Sequence, residues 1–454
     1  MLESLSRVFH LRAVWFLLAF APLGGANEAA RAQDFEKDRP NNWHHWRGPD
    51  ANGAAPKADP PVSWDAATNI KWKAKLPGRG SATPIVWGNN VFLVAAIKTD
   101  RVATGDELPR FESNLERRTK ASTHFHRFEV LCFDRTTGDL RWRRTAAERV
   151  PHEGHHESHS YAAGSPTTDG RSLFVSFGSF GIYCYDFDGN LRWQRDLGRL
   201  VTRLGWGEAV TPVVQGDNLI LNWDQEENAA LIVLDARTGE TRWKKERDEK
   251  SSWNTPCVVE HKGTFQIIVN GTNRVRSYDL AKGCLLWEFG GMSVNAIPSI
   301  VAAEGVAYCM SGYQTSAAMA VSLDRRGELT NDEFLWRVNK GTPYVPSPLL
   351  IGDRLLFTQA NQPLLTVLDR ETGRVVLDRE RLPSAGQYYA SPIAAAGRIY
   401  LVNREGITLV LKQGDQLEVL ATNALNDPID ASPVAVGKQL FLRSEKFLYC
   451  IEEK

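Results

Sequence analysis

Histidine is concentrated in one short stretch of this chain. Six of the ten histidines lie between positions 124 and 159, and Glu153 and Glu157 stand among them. The six are His124, His126, His152, His155, His156 and His159. Imidazole nitrogens and carboxylate oxygens bind Zn²⁺ and other divalent ions. The stretch is therefore a candidate metal site. A solvated polar loop is the alternative, because Glu-Gly-His-His is not an established ligand motif.

Other reactive groups are not arranged in a familiar catalytic pattern. No Gly-x-Ser-x-Gly turn, phosphate-binding loop or dinucleotide fingerprint stands in a usable context, and no catalytic triad can be assigned. Lys plus Arg and Asp plus Glu each number 54, so no basic excess is present to attract nucleic acid or anionic lipid. The catalytic residues, if any, stay unknown, and nucleic acid is not an expected partner.

A repeated unit must position these side chains. A proline, usually after a small polar residue, recurs before a short apolar run, as Pro84, Pro166, Pro212, Pro256, Pro298, Pro348, Pro392 and Pro433. After the first, the successive spacings are 46, 44, 42, 50, 44 and 41 residues. Repeats of about 40–45 residues with four short strands are typical of propeller blades.

Each unit has the sequence signals of an antiparallel meander. The proline begins the first strand, where a missing N–H is tolerated, and a Gly-x pair such as Gly88-Asn89 forms the first turn. A second turn has the form Asp134-Arg-Thr-Thr-Gly138, and a tryptophan follows four residues later. These tryptophans are Trp142, Trp193, Trp243 and Trp287. We expect them to pack between neighbouring blades.

The two ends of the chain are expected to share a blade. The last unit stops after its third strand, while the stretch from Asn69 to Lys73 carries Trp72 without a preceding turn. A strand from one end that completes the blade at the other end closes the ring and removes both exposed sheet edges. The prediction is an all-β, eight-bladed propeller of four-stranded antiparallel blades over residues 62–454. Residues 33–61 form an extended N-terminal segment in this prediction, and seven blades with a loose N-terminus is the alternative.

The first residues resemble an export signal. Arg7 and Arg12 precede an apolar run from Ala13 to Ala21, and small residues follow up to Ala32. This order predicts a signal peptide over residues 1–32 and a periplasmic or otherwise extracytoplasmic protein. A membrane anchor is the alternative, but it needs about 20 apolar residues.

Three of the six cysteines occupy one position of the repeat. Cys132, Cys184 and Cys450 stand where other units place Val233 or Ser277. A position that accepts Cys, Val and Ser is a small buried slot, so we expect free thiols in the core rather than disulfides.

The turn signature Asp-x-x-Thr-Gly-x-x-x-Trp resembles the pyrroloquinoline-quinone-like (PQQ-like) propeller repeat, over roughly residues 62–454. The segment Trp43-His-His-Trp46-Arg47-Gly48-Pro49 is similar to the opening of exported propellers of this family that are abundant in planctomycetes. The family also includes the outer-membrane assembly propeller of Gram-negative bacteria. The resemblance implies a propeller of the cell envelope.

The name of the repeat raises the question of a quinone cofactor. Alcohol-oxidising members of the family use an adjacent Cys-Cys pair, a Ca²⁺ ion and an aspartate base. No two cysteines of this chain are adjacent. We therefore expect no PQQ, and a divalent metal is the one cofactor that the residues suggest.

The propeller also predicts a binding site at the mouth of its central channel, because first strands line the axis. The candidates are Trp206, Glu208, Trp223, Asp224, Trp253, Asn295, Tyr344, Tyr389 and Asp430. Several of them stand three residues before a repeat proline. Aromatic rings mixed with amide and charged groups suit a peptide or a sugar. The alternative is that these groups satisfy ordered channel water.

The sequence thus favours a non-catalytic binding or scaffolding module for a protein or an extended ligand. Whether the chain is an enzyme stays open. The second hypothesis is a quinoprotein oxidoreductase, or a metal-assisted enzyme that uses the histidine-rich face. A third, a partner in envelope assembly, depends on the fold alone.

Overall fold

The computed structural model describes residues 33–109 and 115–453, and nearly all of the regular structure in them is β-strand. The signal peptide expected at residues 1–32 lies outside the described residues. Short helical turns occur at 33–38, Arg39–Asn41, Gly105–Glu107, Gly178–Phe180 and Asn331–Glu333. In the part of the chain that the structure describes, no helix is long and apolar enough to cross a membrane.

The strands group into blades in the order of the chain. They are β1 (Ile70–Lys75); β2 (Ile85–Trp87), β3 (Asn90–Val102), β4 (His124–Asp134) and β5 (Leu140–Arg149); β6 (Thr167–Thr168), β7 (Ser172–Ser176), β8 (Ile182–Asp186) and β9 (Leu191–Arg195); β10 (Val213–Gln215), β11 (Asn218–Trp223), β12 (Ala230–Asp235) and β13 (Thr241–Glu246); β14 (Cys257–His261), β15 (Thr264–Val269), β16 (Arg274–Asp279) and β17 (Leu285–Gly290); β18 (Val301–Ala303), β19 (Val306–Ser311), β20 (Ala317–Ser322), β21 (Gly327–Glu328) and β22 (Trp336–Val338); β23 (Leu349–Ile351), β24 (Arg354–Thr358), β25 (Leu364–Asp369) and β26 (Val375–Arg381); β27 (Ile393–Ala395), β28 (Arg398–Val402), β29 (Ile407–Lys412) and β30 (Val419–Ala424); β31 (Val434–Val436), β32 (Gln439–Arg443) and β33 (Phe447–Ile451).

The described residues form eight separate sheets, which confirms the eight-bladed propeller. Seven blades are antiparallel meanders of strands consecutive in sequence, apart from the short strand β21, which leaves blade 5 and pairs in parallel with β17 of blade 4. The eighth sheet has the order β1-β33-β32-β31. Its outermost strand therefore comes from the N-terminal end of the chain, as predicted, and the ring is closed.

Burial changes from the axis to the rim of each blade in the way a propeller requires. In blade 3 the central strand β12 is buried along Ala230–Leu234, whereas the outer strand β13 has the sequence Thr-Arg-Trp-Lys-Lys-Glu and is mostly exposed. On such an outer strand, only the tryptophan and the side chains on the same face pack against the neighbouring sheet. The core consequently lies between adjacent blades.

Among the described residues, outer-strand tryptophans join five of the eight blades to the next, whereas Trp287 of blade 4 donates to Gln266 within its own blade. Trp142 of blade 1 donates its Nε1–H to the carbonyl of Phe187 at 2.7 Å, and its indole covers Gly189 in the second turn of blade 2. Gly189 has a φ of +79°, and a Cβ atom there would lie 2.8 Å from the indole. Glycine is thus required both by the turn and by the tryptophan that covers it.

The same docking recurs around the ring, including at the closure. The further pairs are Trp193 with the carbonyl of Ala236, Trp243 with that of Leu280, Trp336 with that of Arg370 and Trp72 with that of Arg135. Because Trp72 belongs to β1, the N-terminal strand connects blade 8 to blade 1 with the contact that joins the interior blades.

The repeat position that holds Cys132 and its equivalents lies directly opposite this tryptophan on the neighbouring strand. Cys132 pairs with Trp142, Cys184 with Trp193 and Cys450 with Trp72. All three thiols are buried and form no disulfide. A larger side chain would displace the indole, which explains why the slot accepts only small residues.

A belt of side-chain to backbone hydrogen bonds runs around the axis. A Ser or Thr stands at the start of each first strand, and in seven of the eight described blades it accepts the backbone N–H of its counterpart in the preceding blade. The described bonds, each 2.9–3.1 Å, run from Thr83 N to Ser165 Oγ, Ser165 N to Thr211 Oγ1, Thr255 N to Ser299 Oγ, Ser299 N to Ser347 Oγ, Ser347 N to Ser391 Oγ, Ser391 N to Ser432 Oγ and Ser432 N to Thr83 Oγ1. The last bond joins blade 8 to blade 1, so the belt crosses the closure as well.

The belt shows that the predicted register of blade 5 is wrong by two residues. In the other blades the belt hydroxyl stands directly before the repeat proline, whereas Ser299 follows Pro298. Ile300 occupies the position that proline has elsewhere. The proline chosen from the sequence is a second, unrelated one in the loop that leads into the blade.

The belt predicts a measurable contribution to stability. In Ser391→Ala the N–H of Ser347 stays buried without an acceptor, so the free energy of unfolding should fall by about 1–3 kcal/mol. Ser391→Thr is the matched control, because threonine occupies this position in blades 1, 3 and 4. Urea titration measures both, and equal stability of the alanine variant and the wild type would contradict the belt.

The closure predicts a second effect. Trp72 is 8% exposed, so Trp72→Ala should lower the free energy of unfolding by about 3–5 kcal/mol, the usual loss for a buried aromatic side chain. Trp142→Ala removes the equivalent side chain between blades 1 and 2. Thermal melting should show losses of similar size. A large loss for Trp142→Ala alone would mean that β1 does not close the ring.

Candidate functional site

The central channel contains a cavity of about 380 Å³. Each blade contributes to its wall the residue two positions before the belt hydroxyl. The eight are Ser81, Ala163, Ala209, Trp253, Ile297, Val345, Tyr389 and Asp430. All are half-buried, whereas the belt hydroxyls beneath them are buried. This position of the repeat therefore faces the lumen.

The wall is asymmetric. Blades 1 to 3 contribute the small side chains of Ser81, Ala163 and Ala209, whereas blades 4 and 7 contribute Trp253 and Tyr389. At this level of the repeat, blades 1 to 3 therefore leave more room than blades 4 and 7, and the loops beside them add His156, His159 and Trp206 to the wall.

The N-terminal segment crosses one end of the channel. The carbonyl of His44 accepts the N–H of Thr168 in blade 2, and three residues later the Arg47 guanidinium donates to the carbonyl of Pro348 in blade 6 at 2.7 Å. Blades 2 and 6 stand opposite each other in a ring of eight, so this short piece of chain spans the diameter. Trp46, between the two anchors, forms part of the cavity wall.

The crossing lies on the face of the first turns. Asn42 accepts the N–H of Gly88 through its side chain, and Asp59 donates its N–H to the carbonyl of Gly437. Both glycines belong to first turns. We call this the turn face and the opposite one, where chain segments lead into each blade, the loop face. The cavity is thus a cup with its floor at the turn face.

Arg47 anchors the floor without a carboxylate partner. Its side chain is 1% exposed, and it donates to the carbonyls of Pro348 and Pro392 at 2.7 and 3.0 Å. Burial lowers the pKa of the guanidinium to about 9. The guanidinium therefore stays protonated at neutral pH, and the carbonyl dipoles of two neighbouring blades stabilise its charge.

Hydroxyl groups surround the bottom of the cup. The belt residues on its wall are Thr83, Ser165, Thr211, Thr255, Ser391 and Ser432. In the described part of the chain, their oxygens accept backbone N–H groups or have no bond, and none of these hydroxyls donates to a protein group. A hydroxyl has one hydrogen to donate. These donors are available to an acceptor in the lumen.

Aromatic rings form the upper wall near the loop face. The rings of Trp206 and Trp253 lie 6.4 Å apart, and Tyr313 stacks on Tyr344 at 4.8 Å. Tyr313 is 42% exposed, so this end of the wall is in contact with solvent.

The carboxylate on the wall is already paired. Asp430 accepts from Arg404 Nε at 2.7 Å, and the same guanidinium lies 4.4 Å from the centre of the Tyr389 ring. Among the described residues, no lysine or arginine lines the cavity. The lumen consequently offers aromatic faces and hydroxyl donors but little uncompensated charge.

Five of the nine residues expected at the channel mouth line the cavity, namely Trp206, Trp253, Tyr344, Tyr389 and Asp430. Trp223 is 2% exposed in the core, and Asp224 forms a fully buried ion pair with Arg247 at 2.8 Å. Asn295 is 1% exposed and reaches only the hydroxyl of Tyr344, at 3.4 Å. It was counted from Pro298, so the register error places Ile297, not Asn295, in the lumen.

Sequence reasoning missed Trp46 and the belt hydroxyls. Trp46 was part of the noted Trp-x-x-Trp segment, but nothing in that segment indicates that it lies across the channel. The Ser-Pro and Thr-Pro pairs were interpreted only as strand starts, although a hydroxyl that recurs once in each blade is a signal that could have indicated the belt.

The structure divides the six histidines between different surroundings. His156 and His159 line the cavity, and the ring of His159 lies 3.1 Å from the carbonyl of Glu208. His126 and His155 pack against one tyrosine ring, at 4.9 and 4.6 Å. The ring of His124 contacts the hydroxyl of its neighbouring Thr123.

The sixth histidine belongs to a different group. Among the described residues, His152, Glu153 and Glu208 form the one set of three whose ligand atoms all lie within 4.8 Å of each other. Burial raises the pKa of Glu153 to about 7 and that of Glu208 to about 8, and burial lowers the pKa of His152 to about 4. Glu208 was expected at the channel mouth, but its carboxyl group lies in this group behind the wall.

The cavity does not suit a quinone cofactor. PQQ carries three carboxyl groups, which require cationic partners. The wall described above offers no lysine or arginine, and Asp430 is the one carboxylate on it. The residues therefore do not fit this group.

Comparison with known proteins agrees with the geometry. A family model described as PQQ_2, outer membrane protein assembly factor BamB, matches residues 126–333. The repeat is of the PQQ-like type. A search of curated proteins found no significant match.

Two solved structures share the fold. The crystal structure of BamB from Moraxella catarrhalis is 12% identical over 80% of this chain and 97% of that chain, with a TM-score of 0.50. The computationally designed Ika8 protein is also 12% identical, over 77% of this chain and 100% of its own, with a TM-score of 0.50. Likeness to a designed protein illustrates that this fold does not by itself specify a function.

Proposed function

We propose that this chain is a non-catalytic, extracytoplasmic binding propeller that receives the end of an extended, uncharged glycan in its cup. The observation that carries the proposal is the floor formed by Trp46 and its neighbours. A ligand that enters from the loop face cannot pass through the channel. Its terminal units therefore occupy the cup, while the rest of the chain extends outward.

The size of the cup supports the recognition of a chain end. Its volume of about 380 Å³ lies at the lower end of the range of about 300–1,000 Å³ that is common for small-ligand sites. The small side chains of blades 1 to 3 leave the space to one side, opposite Trp253 and Tyr389. A terminal sugar there has an aromatic ring to stack on one face.

The chemistry of the wall favours a glycan over a polypeptide. The carboxylate end of a peptide needs a cation, and the described wall has no arginine or lysine. The ammonium end needs a carboxylate, and Asp430 is already paired with Arg404 at 2.7 Å. Sugar hydroxyl and ring oxygens, in contrast, accept from the belt hydroxyls without introducing a charge.

Two titratable groups of the wall, His159 and Asp430, support a binding role rather than catalysis. Burial lowers the pKa of His159 to about 4, and its ring nitrogen contacts a backbone carbonyl. Asp430 is ion-paired. Neither group is poised to transfer a proton near neutral pH.

The expected signal peptide at residues 1–32 and the likeness of residues 126–333 to the BamB family model support an extracytoplasmic location and an envelope ligand. Glycans of the cell envelope are accessible in that compartment. The proposal does not need a protein partner, although a scaffold role on the outer face is compatible with it.

Filling the cup tests the proposal. Ala209→Trp places in blade 3 the side chain that blade 4 has at the same repeat position, so the backbone should tolerate it. We expect at least tenfold weaker binding of soluble oligosaccharides that the wild type retains in an array, because the space beside blades 1 to 3 disappears. Titration calorimetry measures the affinity.

Leu191→Trp is the control, since Leu191 is 49% exposed on an outer strand. Oligosaccharides capped at the recognised end should also lose binding. Equal affinity of the wild type and Ala209→Trp would contradict the proposal, as would an array in which only peptides are retained.

A further inference from the structure

Two loops beside the cup bring three potential metal ligands together. His152 and Glu153 belong to the segment between blades 1 and 2, and Glu208 belongs to the segment between blades 2 and 3. His152 Nε2 lies 3.7 Å from Glu208 Oε1, and all three ligand atoms lie within 4.8 Å of each other. The group combines one imidazole with two carboxyl groups from loops about fifty residues apart.

These side chains are buried with little compensating charge. The side chain of Glu153 is 3% exposed, that of His152 5% and that of Glu208 11%. Arg117 lies 3.8 Å from Glu153. Among the described residues, no arginine or lysine lies within 4 Å of Glu208. Two buried carboxyl groups this close are costly unless a proton or a cation is shared between them.

Protein hydrogen bonds leave ligand positions open on both carboxyl groups. Thr202 donates its hydroxyl and its backbone N–H to Glu153, and the N–H of Ser179 donates to Glu208 Oε2 at 2.7 Å. Each carboxylate oxygen has two lone pairs. Glu208 Oε1 lies on the side of the imidazole, 3.7 Å from His152 Nε2.

The group surrounds a space of its own. A second pocket of about 20 Å³, which borders the cup at Ala163, is lined by all three residues. A volume of about 10–15 Å³ is enough for one water-sized particle. Gly178 makes room for the Glu208 carboxyl group, because a Cβ atom at this residue would overlap Oε2. We call the pocket, with His152, Glu153 and Glu208 on its wall, the cage; its volume is sufficient for a single ion.

We propose that His152, Glu153 and Glu208 bind one divalent cation, with Zn²⁺ as the best-fitting ion. One nitrogen and two carboxylate ligands suit Zn²⁺ better than Mg²⁺ or Ca²⁺, which prefer oxygen alone. A water molecule completes four-coordination. His152 Nε2 lies 2.8 Å from the carbonyl of Leu200, so binding through Nε2 replaces this contact.

The ion would connect the two loops that form one side of the cup. His156 and His159 follow His152 in the first loop, and Trp206 precedes Glu208 in the second. A cation between the loops fixes the cup wall on the side where it has free space. The site is distinct from the glycan proposal, and neither requires the other to hold.

The test uses the full mature chain after removal of metal by chelation and dialysis. ZnCl₂ is titrated against a chromophoric chelator, and elemental analysis counts the ions retained. We expect one Zn²⁺ per chain for the wild type and a higher melting temperature with Zn²⁺ than without it. MgCl₂ at the same concentration should produce neither effect.

Glu208→Gln keeps the shape of the side chain but removes the charge, so Zn²⁺ affinity should fall at least tenfold. Without metal this variant should melt no lower than the wild type, because a neutral amide of the same shape replaces a carboxyl group that burial makes costly to charge, and its folding is therefore not at risk. Glu153→Gln provides a second variant with the same expectation. His124→Asn is the control, since it removes a histidine of the same stretch outside the cage, and its affinity should be unchanged.

Zn²⁺ affinity that is equal in the wild type and Glu208→Gln would overturn the proposal, as would the absence of bound Zn²⁺ in the wild type. Loss of Zn²⁺ binding in His124→Asn but not in Glu208→Gln would assign the ion to the histidine surface instead. The zinc measurements do not depend on the glycan proposal, so a negative result in the glycan-binding test would leave them unaffected.

Discussion

The antiparallel pairing of Ile70–Lys75 with Phe447–Ile451 is the constraint on which the rest of the structure depends. It joins the two ends of the chain in one blade, so that no sheet of the ring is left without its outer strand. It also determines where the preceding residues go. Because β1 is held at the rim of blade 8, the segment before it must return across the turn face, and this path forms the floor of the cup.

Three kinds of contact recur within the blades and at the junctions between them. The belt hydroxyl binds the N–H of the preceding blade near the axis, a small residue faces the tryptophan in the middle, and that tryptophan covers a turn glycine of the next blade near the rim. Trp72 and the bond from Ser432 to Thr83 reproduce two of them at the closure. A ring of this kind is only as stable as its weakest junction, which explains why the closure uses the same contacts as the interior.

Much of the fold could be predicted because each blade repeats the same local signals. The Gly-x turns, the Asp-to-Gly turns and Trp142 with its equivalents recur at regular spacing, and β1 was recognisable from Trp72 alone. The register of blade 5 could not be obtained in this way, since Pro298 and the true start at Ser299 give competing local signals. Only the bond from Ser299 to Ser347 decides between them.

The site was less predictable because the residues of its floor and of the cage do not recur at a fixed spacing along the chain. The floor depends on contacts of His44 and Arg47 with opposite blades, and the cage joins His152 to Glu208 across two loops. Composition indicated histidine ligands but not the carboxylate that is brought in by the next blade. Residues that face the lumen, in contrast, recur once in each blade. Counting three residues back from the repeat proline therefore identified them wherever the register was right.

Native-state hydrogen exchange tests the central claim, the closure of the ring, most directly. In the full chain, the amides of Phe447–Ile451 should exchange as slowly as those of the central strand Ala230–Asp235, because both lie between two paired strands. Exchange of residues 447–451 that is orders of magnitude faster than that of residues 230–235 would show that β1 is not paired there, and would contradict both the closed ring and the floor.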